Sequence, residues 1–136
     1  MESNNFFFKK KRATRSVADV SNLYCSPRKL RLVADLIRNK KVEYSLFILK
    51  NLKNKGGHII YKILLSLIYN WKNENYEKNI NNYNLYIEKV LINQGYQFKK
   101  IRPAPQGRCN KVRKRYSNIK IILNSKFKFK FKNYGT

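Results

Sequence analysis

From Lys89 to the end of the chain, 48 residues carry 14 Lys or Arg and not one Asp or Glu. Such a run restricts the possible folds severely, because like charges repel and no local acid is there to pair them, whereas an ordinary solvated surface mixes both signs. Simple solvation accounts for any one of these cations but not for the whole run, which has to lie against a source of negative charge. The full chain repeats the imbalance, with 31 Lys and Arg against 7 Asp and Glu and a formal charge of +24 over 136 residues. Lys and Arg that replace condensed counterions on phosphates gain affinity from counterion release, so nucleic acid is the first partner to consider. An anionic membrane surface is the competitor.

The membrane alternative is disfavoured by where the cations fall. A cationic membrane binder sets its charges opposite a continuous apolar face on one helix, while here they concentrate in turn-rich, extended segments. No run of about 18 apolar residues occurs. Phe6, Phe7 and Phe8 precede Lys9, Lys10, Lys11 and Arg12, the reverse of signal-peptide order. Cys25 and Cys109 have no second Cys or His at ligand spacing, so they read as free thiols in a reducing compartment and no metal site is expected. Catalysis finds no support either. His58 is the only histidine, the carboxylates are scattered, and Gly56-Gly57 lacks the following Lys-Ser or Lys-Thr of a phosphate loop. No cofactor is expected.

The length and a hydrophobic content of 43% suit a single domain over residues 1–136 with one modest core. A basic arm is expected over 1–15, with Val17-Ala18-Asp19-Val20 as a short strand after it. Ser26-Pro27 reads as a helix start, a hydroxyl N-cap followed by proline at the first helical position. Leu30, Val33, Ala34 and Ile37 then form the inward stripe, and Arg28, Arg31, Asp35 and Arg38 the basic side. A second helix is expected over about Glu43–Leu52 with Leu46, Phe47 and Leu49 inward, broken by Lys53-Asn54-Lys55-Gly56-Gly57. From His58 a third helix buries Ile59, Ile60, Ile63, Leu64, Leu67, Ile68 and Trp71. An Asn-rich connection follows from Asn73 to Asn84.

Leu85–Ile92 reads as a strand with Leu85, Ile87 and Leu91 on one face and Tyr86, Glu88, Val90 and Ile92 on the other. Ser117–Leu123 reads as a second, burying Ile119, Ile121 and Leu123. Between them, residues 96–116 place two basic arms around Pro103-Ala104-Pro105-Gln106-Gly107, which predicts an extended β-hairpin. Arms of about eight residues reach roughly 25 Å at 3.3 Å per residue. A lone hairpin of that length is marginal in water, so it needs an external surface. Tyr96, Phe98 and Tyr116 lie among the charges, and aromatic faces stack on unpaired bases, which favours RNA over DNA. The basic tail 125–136, with its Lys126-Phe127-Lys128-Phe129-Lys130-Phe131 alternation, fits a strand edge, an RNA-stacking segment or a disordered end.

The segment from Ser26-Pro27-Arg28-Lys29-Leu30-Arg31-Leu32-Val33-Ala34-Asp35 to Val42 closely resembles the opening helix of the bacterial large-subunit ribosomal protein L-twenty-two family. Phe98-Lys99-Lys100-Ile101-Arg102-Pro103 and Val112-Arg113-Lys114-Arg115-Tyr116 resemble that family's hairpin and returning strand, and the likeness covers roughly residues 10 to 124. It implies an α+β fold, three helices packed on a small antiparallel sheet with a long basic β-hairpin projecting from it. It also implies a non-enzymatic scaffold that binds large-subunit ribosomal RNA, supports assembly and lines the nascent-peptide exit tunnel. Phosphate contacts are then expected from Arg12, Arg15, Arg28, Lys29, Arg31 and Arg38, and on the hairpin from Lys99, Lys100, Arg102, Arg108, Lys111, Arg113, Lys114 and Arg115. The tunnel tip is expected to comprise Phe98, Pro103, Ala104, Pro105, Gln106 and Gly107.

By position, Phe98, Lys99 and Lys100 match a family segment whose loss is linked to macrolide resistance, although Phe98 replaces the usual thioether or aliphatic residue. Pro105 and Gln106 stand where basic residues are common. The Pro-Ala-Pro-Gln-Gly tip and Trp71 resemble the Bacteroidota branch, and 18 Asn, 22 Lys and 13 Ile point to an AT-rich, reduced genome. The expected partners are large-subunit RNA, neighbouring ribosomal proteins and, transiently, the nascent peptide, with no membrane and no homo-oligomer. The expected location is a bacterial cytoplasmic ribosome, since little room precedes the match for an organelle transit peptide. A free-standing RNA chaperone or regulator is the alternative.

Overall fold

The structure, a computed structural model, describes residues 15–75 and 83–127. Its elements run β1 (Arg15–Leu23), α1 (Pro27–Ile37), α2 (Val42–Asn51), α3 (Lys55–Glu74), β2 (Tyr83–Pro103) and β3 (Cys109–Phe127). The strands form one antiparallel sheet in the order β1-β3-β2. The helices pack on one face of it, where Leu30, Ile37, Leu64 and Trp71 share a core with Ile87, Ile119 and Ile121. This is the α+β architecture that the family resemblance implies, and its helices and strands are those that the helical and alternating spacings predict.

Helix α1 buries Leu30, Val33, Ala34 and Ile37 as their spacing requires. Ser26 holds the N-cap position, and its carbonyl accepts from the Leu30 N–H at 3.2 Å. Its hydroxyl makes no capping bond, contrary to expectation, so the fixed backbone of Pro27 is the start signal that operates here. Helix α2 departs further. Val42, Ser45 and Leu49 face the core, while Phe47, expected inward, is 65% exposed. The inward row runs i, i+3, i+7 from Val42, and Phe47 lies off that row. Ser45 is buried at little cost because its hydroxyl donates to the Lys41 carbonyl at 2.9 Å.

The expected break falls at residues 52–54, between α2 and α3, and Gly56 and Gly57 lie past it, inside the first turn of α3. A Cβ on Gly56 would lie 3.3 Å from Leu30 Cδ2, and one on Gly57 would lie 3.1 Å from Leu52 Cβ. Their missing side chains let the start of α3 close against α1 and the end of α2. Beyond them α3 buries Ile60, Ile63, Leu64, Leu67 and Trp71, with Ile59 and Ile68 packed against the core's margin.

In β2 a register shift between Ile87 and Lys89 inserts one extra residue, Glu88, opposite β3. The insertion reverses which alternate residues face inward: Leu85 and Ile87 are buried before it, Val90 and Ile92 after it, and Leu91 is 46% exposed. The expected grouping of Leu91 with Leu85 and Ile87 therefore fails. Glu88 accepts from Arg15 at 2.9 Å and from Asn124 at 3.2 Å.

A second shift in β2, between Gln94 and Gln97, coincides with one in β1 between Val20 and Leu23. The two lie on either side of Ser117 in β3, and the Asn118 Oδ1 accepts from the Asn22 N–H at 3.0 Å. Here the three-stranded sheet ends and the two-stranded hairpin begins. At Gly95 a Cβ would lie 3.1 Å from Asn118 Oδ1, 3.2 Å from Tyr116 C and 3.3 Å from Ser117 N. Gly95→Val is therefore expected to cost about 1–3 kcal/mol, because the β3 main chain has to move as well as the Asn118 side chain. A fall in the denaturant midpoint at unchanged slope checks this; an unchanged midpoint would show that the junction tolerates a side chain.

Candidate nucleic-acid interface

Beyond the junction, β2 and β3 pair without interruption from Gln97↔Arg115 to Pro103↔Cys109. This ladder is about 20 Å long at 3.3 Å per residue. The chain reverses at Pro105–Arg108, where the Arg108 N–H donates to the Pro105 carbonyl at 3.4 Å. Gln106 and Gly107 have φ of 61° and 70°, the positive pair of a type I′ hairpin turn. Gly107 adopts that conformation without a Cβ clash, whereas Gln106 is an unusual occupant. Phe98, grouped with the tip on sequence grounds, instead sits on the shaft opposite Lys114.

Apart from half-buried Ala104, every residue from Phe98 to Arg115 is exposed. The hairpin presents Lys99, Lys100, Arg102, Lys111, Arg113, Lys114 and Arg115 along its shaft and Arg108 at its turn. Lys99 lies directly opposite Arg113, and Phe98 opposite Lys114. Directly opposed cations repel, and the sequence has no carboxylate after Glu88 to separate them. The Lys100 ammonium stands 5.6 Å from the Phe98 ring centroid. The shaft is thus a two-sided basic ladder with an aromatic face near its root, suited to phosphates and unpaired bases.

The expected cations of the body divide in two. Arg28 and Lys29 are exposed in the first turn of α1. Arg31 instead donates through Nε and Nη2 to the Ile92 carbonyl at 3.3 and 3.0 Å, and Arg38 through Nη2 to the Val90 carbonyl at 3.4 Å. Strand β2 is an outer strand, so these guanidiniums satisfy carbonyls along its open edge. The Lys40 carbonyl serves the same edge by accepting from the Ile87 N–H at 2.9 Å. Arg38 also pairs with Asp35 at 3.0 Å, and Arg15 with Glu88. All three arginines stay exposed enough to reach a phosphate, but each is already tied to the fold. Arg12, the arm before Arg15 and the Lys-Phe tail beyond Phe127 lie outside the described residues.

An open cleft of about 740 Å³ lies at the hairpin root, with Lys29, Lys55, Arg113, Lys114 and Arg115 among its walls and Tyr24 in its lining. Lys55 and Tyr24 carry no signal along the chain that marks them, since only the fold brings them beside the hairpin. His58 is exposed near Lys53, Lys55 and Lys62, in a shallow depression on α3. Cys25 is half-buried, Cys109 exposed, and both are free.

A family model described as ribosomal protein L22p/L17e matches residues 18–124. The large ribosomal subunit protein uL22 of Karelsulcia muelleri is 80% identical over 139 aligned positions, covering all of both chains. The protein of that name from Flavobacterium johnsoniae is 40% identical, covering 85% of this chain and 86% of its own. That of Bacteroides fragilis is 37% identical, covering 87% and 88%.

Proposed function

The chain belongs to the ribosomal protein L22p/L17e family, and from that membership we propose that it is a structural, non-catalytic component of a bacterial large ribosomal subunit. It binds large-subunit ribosomal RNA, contributes to subunit assembly and carries its hairpin to the wall of the nascent-peptide exit tunnel. The observation that carries this reading is the hairpin itself, a paired ladder exposed on both faces whose cations pair with no acid among the described residues. A surface that supplies phosphates along about 20 Å would satisfy both faces at once.

The body serves as the hairpin's mount, with Arg28 and Lys29 as additional phosphate contacts and Arg15, Arg31 and Arg38 doing double duty at the sheet. The exposed apolar side chains Leu32 and Leu36 of α1 and Phe47 of α2 offer surface to neighbouring ribosomal proteins. Ala104, Pro105, Gln106 and Gly107 meet the nascent peptide at the turn, and the chain acts as one copy per subunit in the cytoplasm. No helix among the described residues is long and apolar enough to cross a membrane.

Sedimentation tests the assignment. A tagged copy of the full chain, expressed in a bacterial host, is expected to travel with large subunits and whole ribosomes through a sucrose gradient. Recovery at the top of the gradient would favour a free-standing RNA chaperone or regulator, and recovery with membranes a cationic membrane protein; either result sinks the ribosomal reading.

A further inference from the structure

The cleft at the hairpin root differs in kind from the exposed shaft. Three parts of the fold meet there. The starts of α1 and α3 stand side by side, brought together where Gly56 faces Leu30. The β3 arm closes the third side with Arg113, Lys114 and Arg115. Lys29 and Lys55 project from the two helix starts, whose dipoles add to the same positive potential. No carboxylate lines the cleft.

Tyr24 gives this positive cavity a flat surface. Its side chain is 49% exposed, and its ring is braced on one side by Tyr116, with centroids 5.3 Å apart and planes inclined at 55°. The Lys55 ammonium stands over the Tyr24 ring at 4.7 Å from its centroid and the Lys114 ammonium at 5.7 Å, so a base that stacks there takes the place of two flexible ammoniums, which turn to its phosphates. An aromatic ring among ammonium groups is the arrangement that binds a base by its face and the adjoining phosphates by charge. A paired base cannot present its face, because its neighbours in the stack cover it; an unpaired base can. The volume of about 740 Å³ falls within the range of cavities that hold groups of small-molecule size.

We propose that this cleft receives a single unpaired nucleotide of the bound RNA, its base on Tyr24 and its flanking phosphates on Lys29, Lys55 and the Arg113–Arg115 segment. The proposal rests on the RNA-binding reading above and adds a position and a nucleotide class to it. Contacts along the shaft hold the RNA by its backbone, while the cleft registers the protein on it at one extrahelical base.

The test uses the full chain with two synthetic RNAs, a stem-loop containing a one-nucleotide bulge and its fully paired counterpart. Ultraviolet irradiation followed by peptide mass spectrometry is expected to place a nucleotide adduct on Tyr24 with the bulged RNA. Tyr24→Ala is expected to weaken binding of the bulged RNA about tenfold, as loss of one stacked base does, with the paired RNA unaffected and Tyr24→Phe close to the parent chain. Adducts confined to the shaft, or an equal loss on both RNAs, would overturn the cleft assignment while leaving RNA binding intact. Failure to bind either RNA would instead overturn the underlying reading and this proposal with it. Tyr24 also braces Tyr116, and the adduct on the unsubstituted chain is independent of how Tyr24→Ala folds.

Discussion

Affinity for large-subunit ribosomal RNA is expected to fall about 10³ to 10⁵ fold when monovalent salt rises from 50 to 200 mM, the response to neutralising six to ten phosphates. Which residues are expected to set that number follows from their exposure and their bonds within the fold. Arg15, Arg31 and Arg38 already donate within the fold, so part of their capacity is spent before RNA arrives. Lys99, Lys100, Arg102, Arg108, Lys111, Arg113, Lys114 and Arg115 are exposed, and no acid follows Glu88 to compete for them. They are enough to supply most of the contacts. Each phosphate-contacting residue contributes roughly one unit to the slope of log affinity against log salt. Replacing Lys99, Lys100 and Lys111 by Gln together should flatten that slope by about three units, and replacing Arg31 and Arg38 should flatten it less and destabilise the fold more. Titrations at four or five salt concentrations read both. A flat dependence for the parent chain would mean that phosphates are not what the basic ladder binds.

What the sequence discloses depends on whether a feature is local. Pro27 with Leu30, Val33, Ala34 and Ile37 is a local pattern, and α1 follows it. The hairpin is local as well, with turn residues between two basic arms and strict alternation in Ile119, Ile121 and Leu123. Glu88 is the counterexample. A bulge leaves no mark in composition, and one inserted residue is enough to put Val90 and Ile92 on the same buried face as Leu85 and Ile87, opposite to the expected grouping. Phe47 shows that apolar character alone does not fix burial, since Ser45, bonded to the carbonyl four residues back, holds the inward place. At Gly56 and Gly57 it is small size, which lets α3 close on α1 and α2, that matters rather than any helix-breaking tendency. The cleft was beyond reach, since Tyr24, Lys55 and Arg113 become neighbours only after both the helices and the hairpin are placed.

Hydrogen exchange is expected to split β2 and β3 into two regimes in the RNA-free protein. Around Ile119 and Ile121 the sheet lies under three helices with fully buried side chains, so exchange there requires near-global opening. Global stabilities of about 5–15 kcal/mol correspond to protection of at least about 10³. The same two strands continue past Gly95 into a ladder whose side chains bury almost nothing, with Lys99 set against Arg113 at its centre. Two-stranded hairpins without a covered face are marginal in water. Amides from Phe98 to Arg115 should therefore exchange about 10³ fold faster than those at Ile119 and Ile121, even though both belong to the same strands. Binding large-subunit RNA should slow them strongly, because phosphates on both faces remove the repulsion that opens the ladder and cover the backbone from solvent. High protection of Phe98–Arg115 in the free chain would show that the hairpin carries its own stability, and the inference that its charges demand an RNA partner would lose its physical basis.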